Sequence, residues 1–527
     1  MIRSIGRWLG RLLQWPMLAP LLLAIQQVFM IFALNVESVP VGNVVVPMFV
    51  SILVAIVVAM LAWAVLRDVH KAAGTTSVFM LMFFSYRDIV DWLSKTIGME
   101  EASSETLVLF LVAGVLVLFG TAGYRLIRNY REMSLFFNAL GILFFLYSIY
   151  ILANRVIENG VWRGGPVHGT SVSSPQVNPN RDEAPDIYYI ILDAYGSNGT
   201  LQTYYDFDNS NFIRELEKMG FYVAGTSNSN YIQTSLSLCS TMNLDYIRNI
   251  KVEGKAIRKH DQLYECIHNS QIRHFLSEQG YRVISFQTPY EFISLSDADI
   301  FYTSARPSKF ATLVLDASMA RMLRSVDVIR NWLYDFPYRE HQKIILNIFD
   351  NLKSVPQIEG SYFVFAHVIA PHPPFVFDEH GSIEHFTTRF TLGDASDYIA
   401  AHSRQEYLVG YRAQIQYVNR LVLDTVSTIL KDSKNPPIII LQGDHGPGAY
   451  LDWESQENTK LDERFGILSA YYFPNQAYGR LYPSISPVNS FRVIFDDYFG
   501  EDYDLLSDLH YFSTWSLPLK FTQVDPK

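Results

Sequence analysis

Cysteine is nearly absent from this chain of 527 residues, which contains only Cys239 and Cys266. Two cysteines exclude a fold held by several disulfides and a zinc cluster built from several thiolates. They allow one disulfide in an oxidising compartment, and the sequence leaves their pairing open. Basic residues are also scarce, since 42 Lys and Arg stand against 52 Asp and Glu, a net charge of -10. A nucleic-acid partner is therefore not expected, because phosphate backbones require a basic face.

Apolar residues are concentrated before about residue 155, in runs of roughly the 20 residues that a transmembrane helix needs. We predict an α-helical membrane domain at residues 1–155 with five transmembrane helices. The third is the weakest, because Arg87, Asp88 and Asp91 follow its apolar start, and a re-entrant segment is the alternative. These charged groups are expected either to pair with one another or to bind a lipid head group. The predicted spans are about residues 15–35, 44–66, 76–93, 106–123 and 134–153.

The charges between the predicted spans indicate the orientation in the membrane. With five spans, three groups of basic residues lie on one side and the acidic residues on the other, as the positive-inside rule requires. The first helix is expected to remain, because no small-residue cleavage site follows it. We predict a multi-pass protein of the cytoplasmic (inner) membrane whose later domain is periplasmic or extracellular. The basic groups are Arg3, Arg7 and Arg11, Arg67 and Lys71, and Arg125, Arg128 and Arg131; the acidic residues are Glu37, Glu100, Glu101 and Glu105.

A stretch rich in Gly, Pro, Ser and Asn at residues 156–185 is typical of a solvated linker. After it, short apolar runs alternate with helical stretches. This alternation predicts an α/β domain with a mainly parallel central sheet at residues 186–527. Strands are predicted at residues 186–193, 281–286, 362–368 and 437–441, and helices at 211–219 and 405–430.

Residues capable of catalysis stand at the ends of three predicted strands. Loops at the carboxyl ends of parallel strands converge, so these side chains are expected to meet. Taken singly, an aspartate after a strand is often a cap or turn residue, and a lone histidine is more often structural. Their occurrence at successive strand ends favours a shared site. The residues are Asp193, His367, His372, Asp444 and His445.

Four short motifs occur in order along the chain: Ile191-Leu-Asp193-Ala-Tyr-Gly196, Thr234-Ser-Leu-Ser-Leu-Cys-Ser-Thr-Met-Asn243, His367-Val-Ile-Ala-Pro-His372 and Gly443-Asp-His-Gly446. Their residues and spacing resemble the alkaline phosphatase and sulfatase superfamily. With five predicted spans before them, the chain is similar to the membrane-anchored branch of lipoteichoic acid synthases and phosphoethanolamine transferases. The resemblance extends over most of the chain.

The resemblance implies a metal site. Asp193, Asp444 and His445 stand at metal-ligand positions, and Thr234 stands at the position of a nucleophile that also touches the metal. Oxygen and imidazole ligands suit one zinc or manganese ion, with magnesium or calcium as alternatives. A bound ion would activate the threonine and polarise the phosphoryl oxygen. The alternative role for Thr234 is a helix N-cap, and Ser235 is the alternative nucleophile.

The same resemblance implies a substrate site. His367 and His372 look like the histidines that hold the substrate phosphate or protonate a leaving group. Arg464 is a candidate for positive charge near the phosphate.

Two departures from the family patterns narrow the expected chemistry. Sulfatases require a Cys or Ser at the nucleophile position, followed by Pro or Ala and an Arg, whereas this chain has Thr234-Ser-Leu-Ser-Leu. Sulfate-ester hydrolysis is therefore disfavoured. Phosphoethanolamine transferases of the best-known type carry a further metal-site histidine after the Asp-His-Gly element, but the next one here is His510. A single-metal site is the expectation.

The resulting hypothesis is a transferase that moves a phospho-alcohol head group, phosphoglycerol or phosphoethanolamine, from a membrane phospholipid to an envelope glycan or lipid. The group would pass through a phosphothreonine at Thr234. One alternative is a membrane-tethered phosphodiesterase or sulfatase-like hydrolase. Another, of a different class, is a non-catalytic scaffold or transport-associated pseudoenzyme.

Overall fold

The structure is a computed structural model that describes residues 13–36, 41–98, 101–123, 125, 127, 129–159, 184–290, 292–303, 309–325, 327–383, 386 and 390–526. It separates into two compact units. One contains the helices before residue 160 together with residues 309–325, and the other contains most of the chain after residue 184. Arg3, Arg7, Arg11, Arg128, Glu37, Glu100 and residues 160–183 of the predicted linker lie outside the described residues.

The first unit is a bundle of apolar helices held by buried polar contacts. Near its start, the Ala19 amide donates to Oδ1 of Asn138 over 2.8 Å. Farther along, Nε2 of Gln26 donates to Oγ of Ser148 over 3.2 Å. Such contacts satisfy polar groups that a hydrocarbon surrounding could not. The helices are α1 (Leu18–Leu34), α2 (Val45–Leu66) after a 3-10 turn (Val41–Val44), α3 (Val69–Ile97), α4 (Glu101–Leu118), which continues into a π-turn (Phe119–Gly123), and α5 (Tyr130–Asn159).

Three helical segments of this unit are long and apolar enough to cross a membrane: Val41–Leu66, Ser103–Thr121 and Tyr130–Arg155. Helix α1 is apolar but has 17 residues, and α3 is not among the three. In α3, Nε of Arg87 lies 3.5 Å from Oδ2 of Asp91, as expected if these charges pair. The structure thus has a helical N-terminal region with three candidate spans, and the crossing of α1 and α3 stays a prediction.

Residues 309–325 return to the helical unit from within the later part of the chain. They form α11 (Lys309–Asp316) and a 3-10 helix (Met319–Ser325). Phe310 is buried and packs edge-on against Phe32 of α1, with the ring centroids 6.4 Å apart. Nε of Arg321 lies 3.0 Å from Oε1 of Glu105. This return separates the second unit into two stretches of sequence, a feature that the composition did not predict.

The second unit is an α/β domain built on a seven-stranded mixed sheet of order β2-β9-β8-β1-β7-β5-β6. Four strand pairs are parallel and the two pairs involving β9 are antiparallel, so the sheet is mainly parallel, as predicted. The strands are β1 (Ile187–Leu192), β2 (Tyr222–Val223), β5 (Arg282–Phe286), β6 (Ile300–Tyr302), β7 (Tyr362–Val368), β8 (Ile438–Gln442) and β9 (Ser469–Tyr472). Two small hairpins pair β3 (Lys251–Val252) with β4 (Lys255–Ala256) and β10 (His510–Phe512) with β11 (Thr522–Val524).

Helices cover both faces of this sheet. Every residue of the central strands β1, β7 and β8 is buried, which explains why their sequences are mostly apolar and do not alternate with polar residues. Two hydrophobic clusters lie on opposite faces, one including Ile415 and the other Leu236. The remaining helices are α6 (Asn198–Tyr205), α7 (Ser210–Lys218), α8 (Thr234–Met242), α9 (Asp261–His268), α10 (Gln271–Glu278), α12 (Asp327–Ser354), α13 (Ala395–Ala401), α14 (Arg404–Asp432), α15 (Leu461–Phe465) and α16 (Pro487–Phe499), with short 3-10 turns at Val355–Gln357 and Pro474–Gln476.

The two cysteines form a disulfide that joins α8 to α9, with 5.5 Å between the Cα atoms of Cys239 and Cys266. A cross-link between residues 27 positions apart reduces the conformational freedom of the unfolded chain. Structural disulfides persist mainly in oxidising compartments. The helix that begins at Thr234 is therefore covalently fixed to its neighbour.

Candidate active site

The residues predicted at strand ends meet at one edge of the sheet, because β1 is paired with both β7 and β8. The register aligns Leu192 with Val368, and the Asp193 amide donates to the Val368 carbonyl over 2.9 Å. Strand β8 ends at Gln442, so Asp444 and the residue after it emerge beside Asp193. The amide of Ala194 donates to Oδ1 of Asp444 over 3.1 Å. This edge holds the candidate site.

Helix α8 delivers Thr234 to the same edge. Its N-cap is Gln233, whose side chain makes no capping hydrogen bond, and Thr234 is the first helical residue. Oγ of Ser237, one turn later, donates to the backbone carbonyl of Asp444 over 2.5 Å and ties the helix to the loop after β8. The Thr234 hydroxyl is thus not used as the cap and lies 3.2 Å from Nε2 of His445.

Glycines allow the loop that carries Asp444 to approach α15. The amide of Gly446 donates to the carbonyl of Arg464 over 2.7 Å. A Cβ at Gly446 would lie only 2.1 Å from the carbonyl oxygen of Glu463, and one at Gly443 only 2.5 Å from that of Tyr195. Any larger side chain at these two positions would push the loop away from its neighbours, so close backbone packing explains the two glycines of the motif.

The ligand atoms expected around a metal ion face one another. Nε2 of His445 lies 3.7 Å from Oδ1 of Asp193 and 3.5 Å from Oδ2 of Asp444. Ligands held about 2.1 Å from a tetrahedral ion lie about 3.4 Å apart, which is close to these separations. Among the described residues, Asp193, Asp444 and His445 form the one group of acidic or imidazole side chains close enough to share an ion.

Unsatisfied polar atoms support the same fit. Both carboxylate oxygens of Asp193 and Oδ2 of Asp444 are buried and receive no hydrogen bond from the residues that the structure describes. Nδ1 of His445 donates to the Gly446 carbonyl over 2.9 Å, because a carbonyl can only accept. The lone pair of His445 is therefore on Nε2, which faces the carboxylates. Buried polar groups without partners are costly, and a bound cation would satisfy all of them.

The electrostatics of these groups also favour a cation. Burial, together with the negative charge of Asp444, raises the pKa of Asp193 well above its usual range. Burial and the nearby Arg464 guanidinium lower the pKa of His445 to about 4, so its imidazole is neutral near pH 7. A neutral imidazole is the form that binds metals. A divalent ion would relieve the repulsion between the two carboxylates.

His367 lies beside Asp193, one of the candidate metal ligands. It is buried, and its Nε2 is 3.4 Å from Oδ2 of Asp193. Neither ring nitrogen has a hydrogen-bond partner among the described residues, and burial lowers the pKa of His367 to about 4. His367 is not among the described residues that line the cleft above the site.

His372 and Arg464 do line that cleft, which has a volume of about 760 Å³ and reaches Thr234 and His445 at its floor. Nδ1 of His372 donates to the Pro373 carbonyl over 2.5 Å, which leaves Nε2 for the cleft. The Arg464 guanidinium donates to the carbonyl of Ile232 and lies 3.4 Å from Nε2 of His445. His510, the next histidine after the motif, is not among the described residues that line the cleft, and its Nδ1 donates to the Ser229 carbonyl over 2.8 Å.

Asp394 is a cleft residue that the sequence did not indicate. Its Oδ2 accepts from Nη2 of Arg464 over 3.0 Å, and its Oδ1 lies 3.8 Å from Nε2 of His372. Burial opposes its ionisation, but the Arg464 guanidinium brings the pKa of Asp394 down to about 2. In the sequence, Asp394 is an ordinary N-cap before α13, and nothing links it to residues 70 positions away.

Asp394→Asn is expected to slow turnover about 10²-fold, because Arg464 and His372 both lose the charge that positions them. The negative charge also opposes the effect of burial on the pKa of His372, so its removal lowers that pKa further. The limb of the pH–rate profile that belongs to His372 should shift to lower pH. Rate profiles of the variant and of Asp397→Asn, an exposed acid of the same cleft, give the comparison. Equal shifts in both variants would contradict the positioning role.

The sequence matches no known protein-family model and no curated protein. Among solved structures, the C-terminal periplasmic domain of EcEptC from Escherichia coli aligns with 65% of this chain and 92% of its own length, at 11% identity and a TM-score of 0.43. The C-terminal periplasmic domain of phosphoethanolamine transferase EptC from Campylobacter jejuni aligns with 62% of this chain and 92% of its own length, at 9% identity and a TM-score of 0.38. The integral membrane lipooligosaccharide phosphoethanolamine transferase A from Neisseria meningitidis aligns with 92% of this chain and 94% of its own length, at 12% identity and a TM-score of 0.36. The chain is similar to these proteins at low identity.

Proposed function

We propose that this chain is a divalent-metal-dependent transferase that moves a phospho-alcohol head group, phosphoglycerol or phosphoethanolamine, from a membrane phospholipid to an envelope glycan or lipid. The observation that carries the proposal is the position of Thr234. Its hydroxyl lies 3.2 Å from Nε2 of His445, on the floor of an open cleft. Two buried carboxylates, of Asp193 and Asp444, face the same nitrogen. This arrangement suits a hydroxyl nucleophile beside a cation.

Asp193, Thr234, Asp444 and His445 would hold one divalent ion, zinc or manganese. When bound, the ion supplies positive charge that favours loss of the threonine proton and stabilises the phosphoryl oxygens. The N-terminus of α8 adds partial positive charge near the Thr234 hydroxyl, because Thr234 is the first helical residue and the first backbone amides of a helix point toward its N-terminal end. Arg464 is buried on the cleft wall and offers a fixed guanidinium to a phosphate oxygen.

In the first half-reaction, Oγ1 of Thr234 attacks the phosphorus of the lipid. The Oγ1–P bond forms, the P–O bond to diacylglycerol breaks, and the threonine proton passes to solvent. His372 enters this step with both ring nitrogens protonated: the Nδ1 proton stays on the Pro373 carbonyl, and the Nε2 proton passes to the diacylglycerol oxygen. Asp394, 3.8 Å from Nε2, stabilises the protonated form of His372.

In the second half-reaction, the acceptor hydroxyl gives its proton to Nε2 of His372, and its oxygen attacks the phosphorus. The new P–O bond forms as the Oγ1–P bond breaks, and Thr234 regains a proton from solvent. His372 thus serves as acid and then as base, and the chain returns to its initial state.

The membrane helices and the disulfide support the same assignment. A lipid donor is presented at a bilayer, and the N-terminal region contains three helices able to cross one. The disulfide between Cys239 and Cys266 indicates an oxidising compartment. We place the α/β domain on the periplasmic or extracellular side of the cytoplasmic membrane.

The test uses full-length protein in detergent and phospholipid carrying a radioactive head group. Label is expected on the protein, and mass spectrometry should locate it on the peptide that contains Thr234. The label should accumulate when the acceptor is withheld, because the second half-reaction then lacks its substrate. Absence of label with and without acceptor would contradict the transferase. Release of the head group to water at the same rate with and without acceptor would instead support the hydrolase.

A further inference from the structure

The cleft extends well beyond the reacting atoms. Its volume of about 760 Å³ exceeds the space of one phospho-alcohol group and is within the range of sites that enclose a whole organic ligand. The buried side chains of His445 and Arg464 line its inner part, whereas Trp515, which is 63% exposed, lines its outer part together with Trp453. The outer part of the cleft therefore has room for a second molecule.

Two tryptophans form a platform in this outer part. The ring centroids of Trp453 and Trp515 are 5.3 Å apart, with the ring planes inclined by 60°. Trp453 packs on a hydrophobic cluster that includes Phe465, and its ring is 5.0 Å from the Arg464 guanidinium carbon. Trp515 is 63% exposed. An indole this exposed at the edge of a cleft leaves an apolar face without cover.

Hydrogen bonds fix the backbone that carries the exposed tryptophan. The amide of Trp515 donates to the Trp453 carbonyl over 3.1 Å. The next residue, Ser516, donates from its amide and its hydroxyl to the two carboxylate oxygens of Glu454, over 3.0 Å and 2.6 Å. A preorganised aromatic surface loses little conformational entropy when a ligand binds.

The chemistry around the platform selects the ligand. A second cation is disfavoured, because Arg464 already stands over Trp453 and both Glu454 oxygens are engaged by Ser516. A second phosphate is disfavoured by Asp397 and Glu454, which are exposed carboxylates that line the same cleft. An acyl chain would remove the Asp397 carboxylate from water without giving it a partner. A sugar ring presents C–H groups to an aromatic face and can donate from a hydroxyl to the Asp397 carboxylate.

We infer that Trp453 and Trp515 form the acceptor subsite of this enzyme and that it takes an uncharged glycan. The inference rests on the proposed function and specifies its acceptor. The sugar stacks on the exposed face of Trp515, and one of its hydroxyls points toward the phosphorylated Thr234. The platform binds the acceptor alone and takes no part in the attack on the lipid.

The test is an array of immobilised neutral, phosphorylated and amine-bearing glycans, probed with labelled full-length protein in detergent. The wild type should retain neutral glycans, and Trp515→Ala should lose at least about tenfold in affinity for them. Trp515→Phe should restore part of the binding. The control is Leu517→Ala, which removes a 54% exposed side chain from the same loop but outside the cleft lining.

Retention of only phosphorylated or amine-bearing glycans, or unchanged binding by Trp515→Ala, would overturn the inference. So would quenching of tryptophan fluorescence by choline or by phosphatidylcholine vesicles but not by any retained glycan. Labelling of Thr234 by radioactive phospholipid is measured in the same proteins. Leu517→Ala should be labelled at the wild-type rate, since its side chain is outside the cleft lining. Label in the wild type without glycan binding refutes the subsite alone. No label in the wild type refutes the proposed function.

Discussion

Thr234→Ala is expected to lower the rate of head-group transfer by at least about 10³-fold and to remove the label from the protein. The hydroxyl is the only atom that forms a bond to phosphorus in the proposed first half-reaction. It lies 3.2 Å from Nε2 of His445 and is free of a capping role in α8. The measurement is transfer of a radioactive head group from phospholipid to acceptor, with the label on the protein counted separately.

The adjacent hydroxyl provides a matched control. Ser235 lines the same cleft, but its Oγ lies 3.3 Å from Nε2 of His260, away from the carboxylate pair. Ser235→Ala should therefore keep the label and most of the transfer rate. Thr234→Ser should retain measurable transfer, since it keeps an oxygen at the same position. Labelling of Thr234→Ala at Ser235 would show that the nucleophile has been assigned to the wrong residue.

Asp193→Asn is expected to eliminate the bound metal ion and to lower the transfer rate by at least about 10²-fold. Losses of this size are found even for residues that only hydrogen-bond to a metal ligand. The wild-type carboxylate is fully buried, and neither of its oxygens accepts a hydrogen bond from the residues that the structure describes, so a cation would be its main stabilising partner. Metal content is measured by plasma mass spectrometry of the purified full-length protein. A ligand at 100 times its Kd stabilises the folded state by about 2.7 kcal/mol, so a chelator should lower the melting temperature of the wild type but not of the variant.

Asp186 supplies the comparison at the opposite end of the same strand. Its Oδ1 accepts from the Tyr362 amide over 2.8 Å, an interaction that asparagine can also make. Burial raises the pKa of Asp186 to about 7, so it shares with Asp193 the cost of a carboxylate removed from water. Asp186→Asn should retain one ion per chain and a chelator-sensitive melting temperature. A metal content unchanged in Asp193→Asn would exclude this carboxylate as a ligand.

The elements predicted from sequence were those whose pattern is local. Strands β1 and β7 are buried on both faces, and their continuous apolar runs marked them to within one residue at either end. The alternative role of Thr234 as an N-cap implied a helix start at this position; a helix does begin there, but its N-cap is Gln233. Parallel pairing then explains why Asp193 and Asp444 meet, since the carboxyl ends of adjacent strands share an edge.

Features that depend on long-range packing carried no such signal. Strand β9 lies antiparallel at Ser469–Tyr472, although most of the sheet is parallel, and a short run of four residues does not reveal its direction. Asp394 contacts Arg464, which is 70 positions away in the sequence. Trp515 lies on the loop between β10 and β11 and contacts the distant Trp453. The position of Thr234 beside His445 was expected only from the resemblance of its motif, because neither composition nor spacing places a helix start at a strand end.

The return of residues 309–325 to the helical unit bears on how this protein can be divided. A truncation at the start of β1 removes the N-terminal helices, but the remaining fragment keeps Phe310 and Met322 without the apolar side chains on which they pack. Such a fragment would expose a hydrophobic patch at residues 309–325 and would self-associate or bind detergent. A monodisperse soluble fragment requires deletion of residues 309–325 as well as of the N-terminal helices, with a short polar linker in place of the deleted segment.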